Sequence, residues 1–170
     1  MQKTLVVLSM LILCTNVFAQ TRSFTRDGLD YIVELPSPSW RVLSRVDVHE
    51  HAEFINGNDY GNGYLRLRKK LVLPDTSAED LFRTDEKSEL QSLPGYVVCS
   101  DSQGAEFKGH LVGKVFSYEY ISNGRSMDGR IYYLQLDSRI FYALHFTVAS
   151  EKLTGLSDQM DSIARSFRLK

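Results

Sequence analysis

Cysteine, proline and tryptophan are all scarce in this chain of 170 residues, which has two, four and one of them respectively. Two cysteines exclude a disulfide-dense miniprotein. Eleven glycines and four prolines exclude a collagen-like or low-complexity chain. Charge of one sign is also lacking, because 20 Lys and Arg face 21 Asp and Glu, a net charge of −1. That balance supplies no overall electrostatic reason to bind nucleic acid or an anionic membrane. Beyond the first twenty residues there is no long apolar run, whereas a bilayer span needs about 20 such residues. Enzyme signatures are missing too. No Gly-x-Ser-x-Gly elbow, P-loop, dinucleotide fingerprint, CxxC or helical HExxH occurs in the sequence. What is present is ordinary globular composition, 43% hydrophobic and 24% charged, enough for a folded domain.

The first nineteen residues read as a secretory leader. Lys3 gives a positive start, and Leu5 to Leu13 is a nine-residue apolar run broken only by Ser9. Asn16-Val17-Phe18-Ala19 then offers small residues for cleavage after Ala19. A lipid anchor at Cys14 is disfavoured, because Leu13 stands where the preceding residue should be small. Cleavage leaves 19 basic and 21 acidic residues, a net charge of −2, and one expected domain over residues 20–170. The expected location is secreted or periplasmic. Cys99 is then the sole thiol, so no intramolecular disulfide forms. Its setting in Tyr96-Val97-Val98-Cys99 suggests a buried, inert side chain on a strand.

Periodicity and turn residues give the order of elements. Strands are expected at Ser23 to Arg26, Leu29 to Leu35, Trp40 to Val46, His51 to Ile55 and Gly63 to Val72. Within the last of these, Leu65, Leu67 and Leu71 alternate with Arg66, Arg68 and Lys70, and Lys69 interrupts the apolar face. A helix follows from Ser77 to about Ser92, with Ser77 and Asp80 spaced as a capping box. Its apolar face is thin: Ala78, Leu81, Phe82 and Leu90. Short strands at Tyr96 to Cys99 and Ala105 to Lys108 precede three long ones. These run over His110 to Ile121, Met127 to Leu136 and Arg139 to Val148, with Asn123-Gly124 marking a hairpin. A final helix from Ser150 to Arg165, capped by Ser150, carries Leu153, Leu156, Met160, Ile163 and Ala164 on one stripe that continues to Phe167. The meander is apolar on both faces and needs cover on both. The fold class is therefore α+β, an antiparallel sheet with helices packed on its faces.

Three features together resemble the PsbP/Mog-type α/β/α sandwich superfamily. They are Tyr31-Ile32-Val33-Glu34-Leu35-Pro36 with Trp40 shortly after, the central helix, and the meander closed by a helix ending Ile163-Ala164-Arg165-Ser166-Phe167. The resemblance covers residues 22–170 and is greatest to small exported bacterial members of unassigned function. It implies a binding scaffold. Relatives include an extrinsic photosystem II subunit, a regulator that binds the Ran GTPase and envelope lipoproteins, and none is an enzyme of known reaction. No family residue maps onto a numbered position here, and fold alone names no partner.

The residues offer their own candidates. Asp47, His49 and His51 would share one strand face with Glu53, a plausible ligand set for zinc, copper or nickel, or else a plain solvated face. Arg66, Arg68 and Lys70 form a basic stripe that could dock an acidic partner or protect a solvated edge strand. Tyr60, in the Asn56 to Gly63 loop, and the nearby Tyr64 are candidate contact residues. His145 reads as a satisfied sheet histidine. The expectation is an exported, non-catalytic binding or accessory protein without cofactor, holding an unknown protein or small molecule. Alternatives are an envelope metal-binding protein using the Asp47-His49-His51 face, or an uncharacterised hydrolase, which alanine substitutions at His145 and His49 would test.

Overall fold

Period-two alternation builds the centre of the molecule. In the computed structural model, which describes residues 21–43, 52–99 and 104–170, all strand pairs are antiparallel. The first five strands are β1 (Arg22–Phe24), β2 (Tyr31–Leu35), β3 (Trp40–Val42), β4 (Ala52–Asn56) and β5 (Tyr64–Leu71). Helix α1 (Ala78–Asp85) follows, then β6 (Val97–Val98), β7 (Ala105–Lys108), β8 (Val112–Ser122), β9 (Arg125–Gln135) and β10 (Ile140–Ala149). Helix α2 (Leu153–Ser166) and β11 (Arg168–Leu169) complete the chain. The hairpin between β8 and β9 turns on Asn123 and Gly124, both at positive φ (50° and 75°), as the Asn-Gly pair demands.

An eight-stranded sheet runs β3-β4-β5-β10-β9-β8-β6, with β7 also paired to β8. Its two faces carry separate cores. On one face Phe116, Tyr118, Ile131, Tyr133, Phe141 and Ala143 pack against Ala78, Leu81 and Phe82 of α1. On the other, Leu65, Leu67, Tyr132, Leu144 and Phe146 meet Leu156, Met160 and Ile163 of α2. A second sheet, β1-β2-β11, lies on the α2 side and adds Tyr31, Val33 and Leu35 to that core. The α+β sandwich inferred from periodicity is therefore present, with a small sheet as an additional element. Lys69, the odd residue on the apolar face of β5, is neutralised there. Its Nζ lies 2.7 Å from Oδ2 of Asp30, which also accepts a 2.7 Å hydrogen bond from the Tyr142 hydroxyl.

Both capping signals can be checked. Ser77 and Asp80 form the expected capping box, Asp80 N–H donating to Ser77 Oγ and Ser77 N–H to Asp80 Oδ2, each at 3.1 Å. Ser77→Ala is expected to cost about 1 kcal/mol, read as a shift in urea midpoint without a change in slope. Ser150 does not cap α2. It opens a 3-10 turn over Ser150–Lys152 and bonds Ser126 Oγ at 3.0 Å, so the helix starts at Leu153. Phe167 lies just beyond α2 but stays buried, packed on Tyr31 and Tyr142.

Two further expectations need correcting. Strand β5 is no edge strand: β4 and β10 flank it, which buries Leu65 and Leu67 mid-sheet under α2 and leaves Leu71 exposed at its end. Cys99 is only partly buried, with its Sγ 3.8 Å from Oε1 of Glu119, because β6 ends at Val98 on the sheet margin. Glycine matters most at Gly129, where a Cβ would sit 2.1 Å from the Tyr118 ring, so that ring rests directly on the strand backbone.

Candidate functional site

Alternation along β5 sends Tyr64, Arg66, Arg68 and Lys70 to the α1 side of the sheet. Tyr60 packs against Tyr64 at one end of this row, ring centroids 5.4 Å apart and planes tilted by 47°. The five candidates near the Asn/Gly loop and on β5 are thus one continuous row. Asp47, His49 and His51 lie outside the described residues. Among the described residues no group of three His, Cys, Asp or Glu side chains is placed to hold a metal ion.

The helix, unlike the strand, could not be paired from sequence. After Asp85 the α-helix widens into a π-helical turn, Glu86–Leu90. Asp85 and Glu89 face the basic row. Glu89 grips Arg68 with two hydrogen bonds (2.8 and 3.0 Å) and takes a third from Arg66 at 2.9 Å. Asp85 accepts from Lys70 Nζ at 2.6 Å and from the Tyr133 hydroxyl at 2.8 Å. The Arg68 fork pulls the Glu89 carboxyl below the usual carboxylate range. Arg66, Arg68 and Lys70 are therefore not a free basic stripe; they clamp α1 to the sheet. The signal for this was the acidic pair Asp85 and Glu89, four residues apart on a helix whose apolar face is thin.

His145 sits opposite Arg66 on β10. Its Nε2 hydrogen-bonds the Tyr118 hydroxyl. Desolvation, then the positive charge of Arg68, lowers its pKa to about 4, so the imidazole is neutral at pH 7. The cavity it shares with Arg66, Arg68 and Glu89 measures about 10 Å³. That is room for one water at most, and none for a substrate. His145 is a satisfied sheet histidine in this geometry.

The tyrosine end of the row differs. Tyr60 is 58% exposed. Its 3-10 turn, Tyr60–Asn62, is capped by Asp59, whose Oδ1 accepts from Gly61 N–H at 3.1 Å. Arg125 reaches over the turn, 3.7 Å from Asp59 Oδ2, and is also bonded to Glu151. Lys152 bonds Asn62 from the far side. A Cβ at Gly61 would meet Arg125 Nη1 at 2.6 Å, so the bare glycine admits that clamp. The loop is thus a fastened platform that presents Tyr60 outward.

No protein-family model matches the sequence, and no curated protein does. Solved structures do match. LpqN, a protein involved in cell envelope biogenesis of Mycobacterium tuberculosis, superposes at TM-score 0.55 with 17% identity, over 89% of this chain and 91% of that one. The cyanobacterial PsbP, CyanoP, of Synechocystis sp. PCC 6803 gives 0.59 with 12% identity, over 94% and 99%. The Ran-binding protein Mog1p of Saccharomyces cerevisiae gives 0.62 with 8% identity, over 89% and 96%. The chain has the PsbP/Mog-type fold.

Proposed function

We propose that this chain is an exported, non-catalytic accessory protein, one domain over residues 20–170 behind a leader of residues 1–19. It holds a protein partner or small ligand through the Tyr60–Tyr64 platform. The observation that carries this reading is the contrast along one row of side chains. Arg66, Arg68 and Lys70 are spent on clamping the helix, while Tyr60 is held outward on a fixed loop. A rigid, amphipathic aromatic loses little entropy on binding and makes a strong anchor. The fold supports the same reading, since one neighbour is a Ran-binding protein and another serves envelope biogenesis. No helix among the described residues is long and apolar enough to cross a membrane.

The test is native mass spectrometry of the protein purified gently from its host's envelope fraction, beside a Tyr60→Ala variant. The expected result is a leader-free chain carrying a stoichiometric subunit or ligand, lost in Tyr60→Ala at unchanged melting temperature. Because Tyr60 is exposed and its loop is fastened by other residues, the substitution should alter stability by no more than about 0.5 kcal/mol. A partner that stays bound to Tyr60→Ala would sink the platform; a bare monomer in both would sink the stable complex.

A further inference from the structure

Helix α2 does not cover the whole face it packs on. Beyond its edge the strands β8 and β9 continue as a shelf, and β7 closes the far side. The result is a groove of about 570 Å³, within the range of about 300–1,000 Å³ typical of small-molecule sites. Its floor is apolar: Val115, Val148 and Met160. Its charges are uneven. Arg130 is turned towards α2, where its Nη1 lies 3.3 Å from Asp161 and 3.2 Å from the Tyr132 hydroxyl. Arg165 donates to the Lys108 carbonyl at 2.9 Å and lies over the Phe107 ring.

Of the remaining carboxylates, Glu106 on β7 stands opposite Lys114 on β8, which leaves two. Glu119 on β8 and Asp128 on β9 are direct cross-strand partners, so their side chains leave the same face side by side. Among the described residues neither has an ion pair, and the only hydrogen-bond partner of either is the Cys99 thiol beside Glu119. Like charges placed directly opposite in an antiparallel pair are mutually destabilising. Two exposed aliphatic side chains stand on the same side. Val97 pairs with Glu119 across β6 and is 59% exposed, and Ile121, two residues along β8, is 47% exposed. An unneutralised carboxylate pair set in aliphatic surroundings, at the mouth of an apolar-floored groove, is complementary to one kind of molecule.

We infer that this groove binds a small organic amine, its ammonium between Glu119 and Asp128 and its alkyl body on Val115, Val148 and Met160. The site is on the opposite face of the sheet from the β5 row, so it stands or falls independently of the Tyr60 platform. Charge-assisted hydrogen bonds from the ammonium would relieve the carboxylate repulsion, and the hydrocarbon would leave water.

The probes are octylammonium, octanoate and 1-octanol, matched in chain length and titrated singly into the isotopically labelled protein. Amide and methyl shifts are followed at Ser117, Gly129 and Met160. Octylammonium is expected to saturate, with its shifts confined to the groove and its affinity at least about tenfold above octanoate. The preference should weaken with added salt. In Glu119→Gln/Asp128→Asn, which removes the repulsion and so should fold at least as well, the amine should fall to the level of 1-octanol. A second variant, Ser117→Trp, fills the groove and should abolish amine binding while leaving both carboxylates in place. Absence of saturable octylammonium shifts, or an amine preference that survives the double substitution, would overturn the inference.

Discussion

Lowering the pH from 6.5 towards 4 should cost the folded protein about 2 kcal/mol of stability, and His145→Gln should remove most of that slope. In the unfolded chain the imidazole takes up its proton near the ordinary value of 6.5, whereas in the fold desolvation delays protonation to about 4. Between those values the unfolded state binds more protons, so stability is complete above pH 6.5 and is lost as the pH falls. The full shift corresponds to roughly 3 kcal/mol at ~1.4 kcal/mol per unit. His145 as a residue is only half-buried, which brings the expected loss to about 2 kcal/mol. Around the ring stand the Tyr118 hydroxyl, the cations Arg66, Arg68 and Lys70, and the anion Glu89. Hydrogen bonds from Arg68, Lys114 and Arg125 hold the Glu89, Glu79 and Glu151 carboxyls below their usual range, so their contribution is also lost as the pH falls, and it is common to the wild type and His145→Gln. Urea melts at pH about 7, 5.5 and 4.5 read the slope directly. A flat wild-type profile, or an equal slope in His145→Gln, would count against this account.

Asp85→Ala should be the most damaging single change on the α1 face, costing about 3 kcal/mol. Asp85 and Lys70 are only 15% and 20% exposed, and Tyr133 is fully buried. Truncation to alanine leaves the ammonium without its counter-charge and the phenol without its acceptor. Asp85→Asn separates the two effects, because the amide oxygen can still accept from Tyr133. It should cost about half as much, since only the charge is lost. Chemical denaturation of both variants measures the difference. Equal, small costs for the two would mean that the pair does not hold the helix to the sheet.

Much of this architecture could be read from the chain because it is local. The β8–β9–β10 meander is set by neighbouring turns, and Asn123-Gly124 fixes the first of them through two positive φ angles. The stripe on α2 and the alternation on β5 are periodic, so their buried faces were plain. What could not be read is pairing at a distance. Nothing in the two residues of β11 announces that they join β2 in a separate sheet. The basic stripe was legible as a face, but its meaning depended on Asp85 and Glu89 arriving over it from a helix with a π-helical turn. Tyr60 stood out because an aromatic in a loop of Asn and Gly has no strand to serve. The α2-side groove left no mark at all, since Glu119 and Asp128 become neighbours only through the β8–β9 register.

The pairing of Arg168 with Ile32, and of Leu169 with Tyr31, bears on when the molecule can become itself. A chain is made from its amino end, and β2 exists long before β11. Until the last strand emerges, the small sheet lacks a member and Phe167 cannot seal Tyr31 and Tyr142. Contacts between residues far apart in sequence are slow to form. Completion therefore waits until β11 has been made, so the small sheet closes only after every strand between its members is in place.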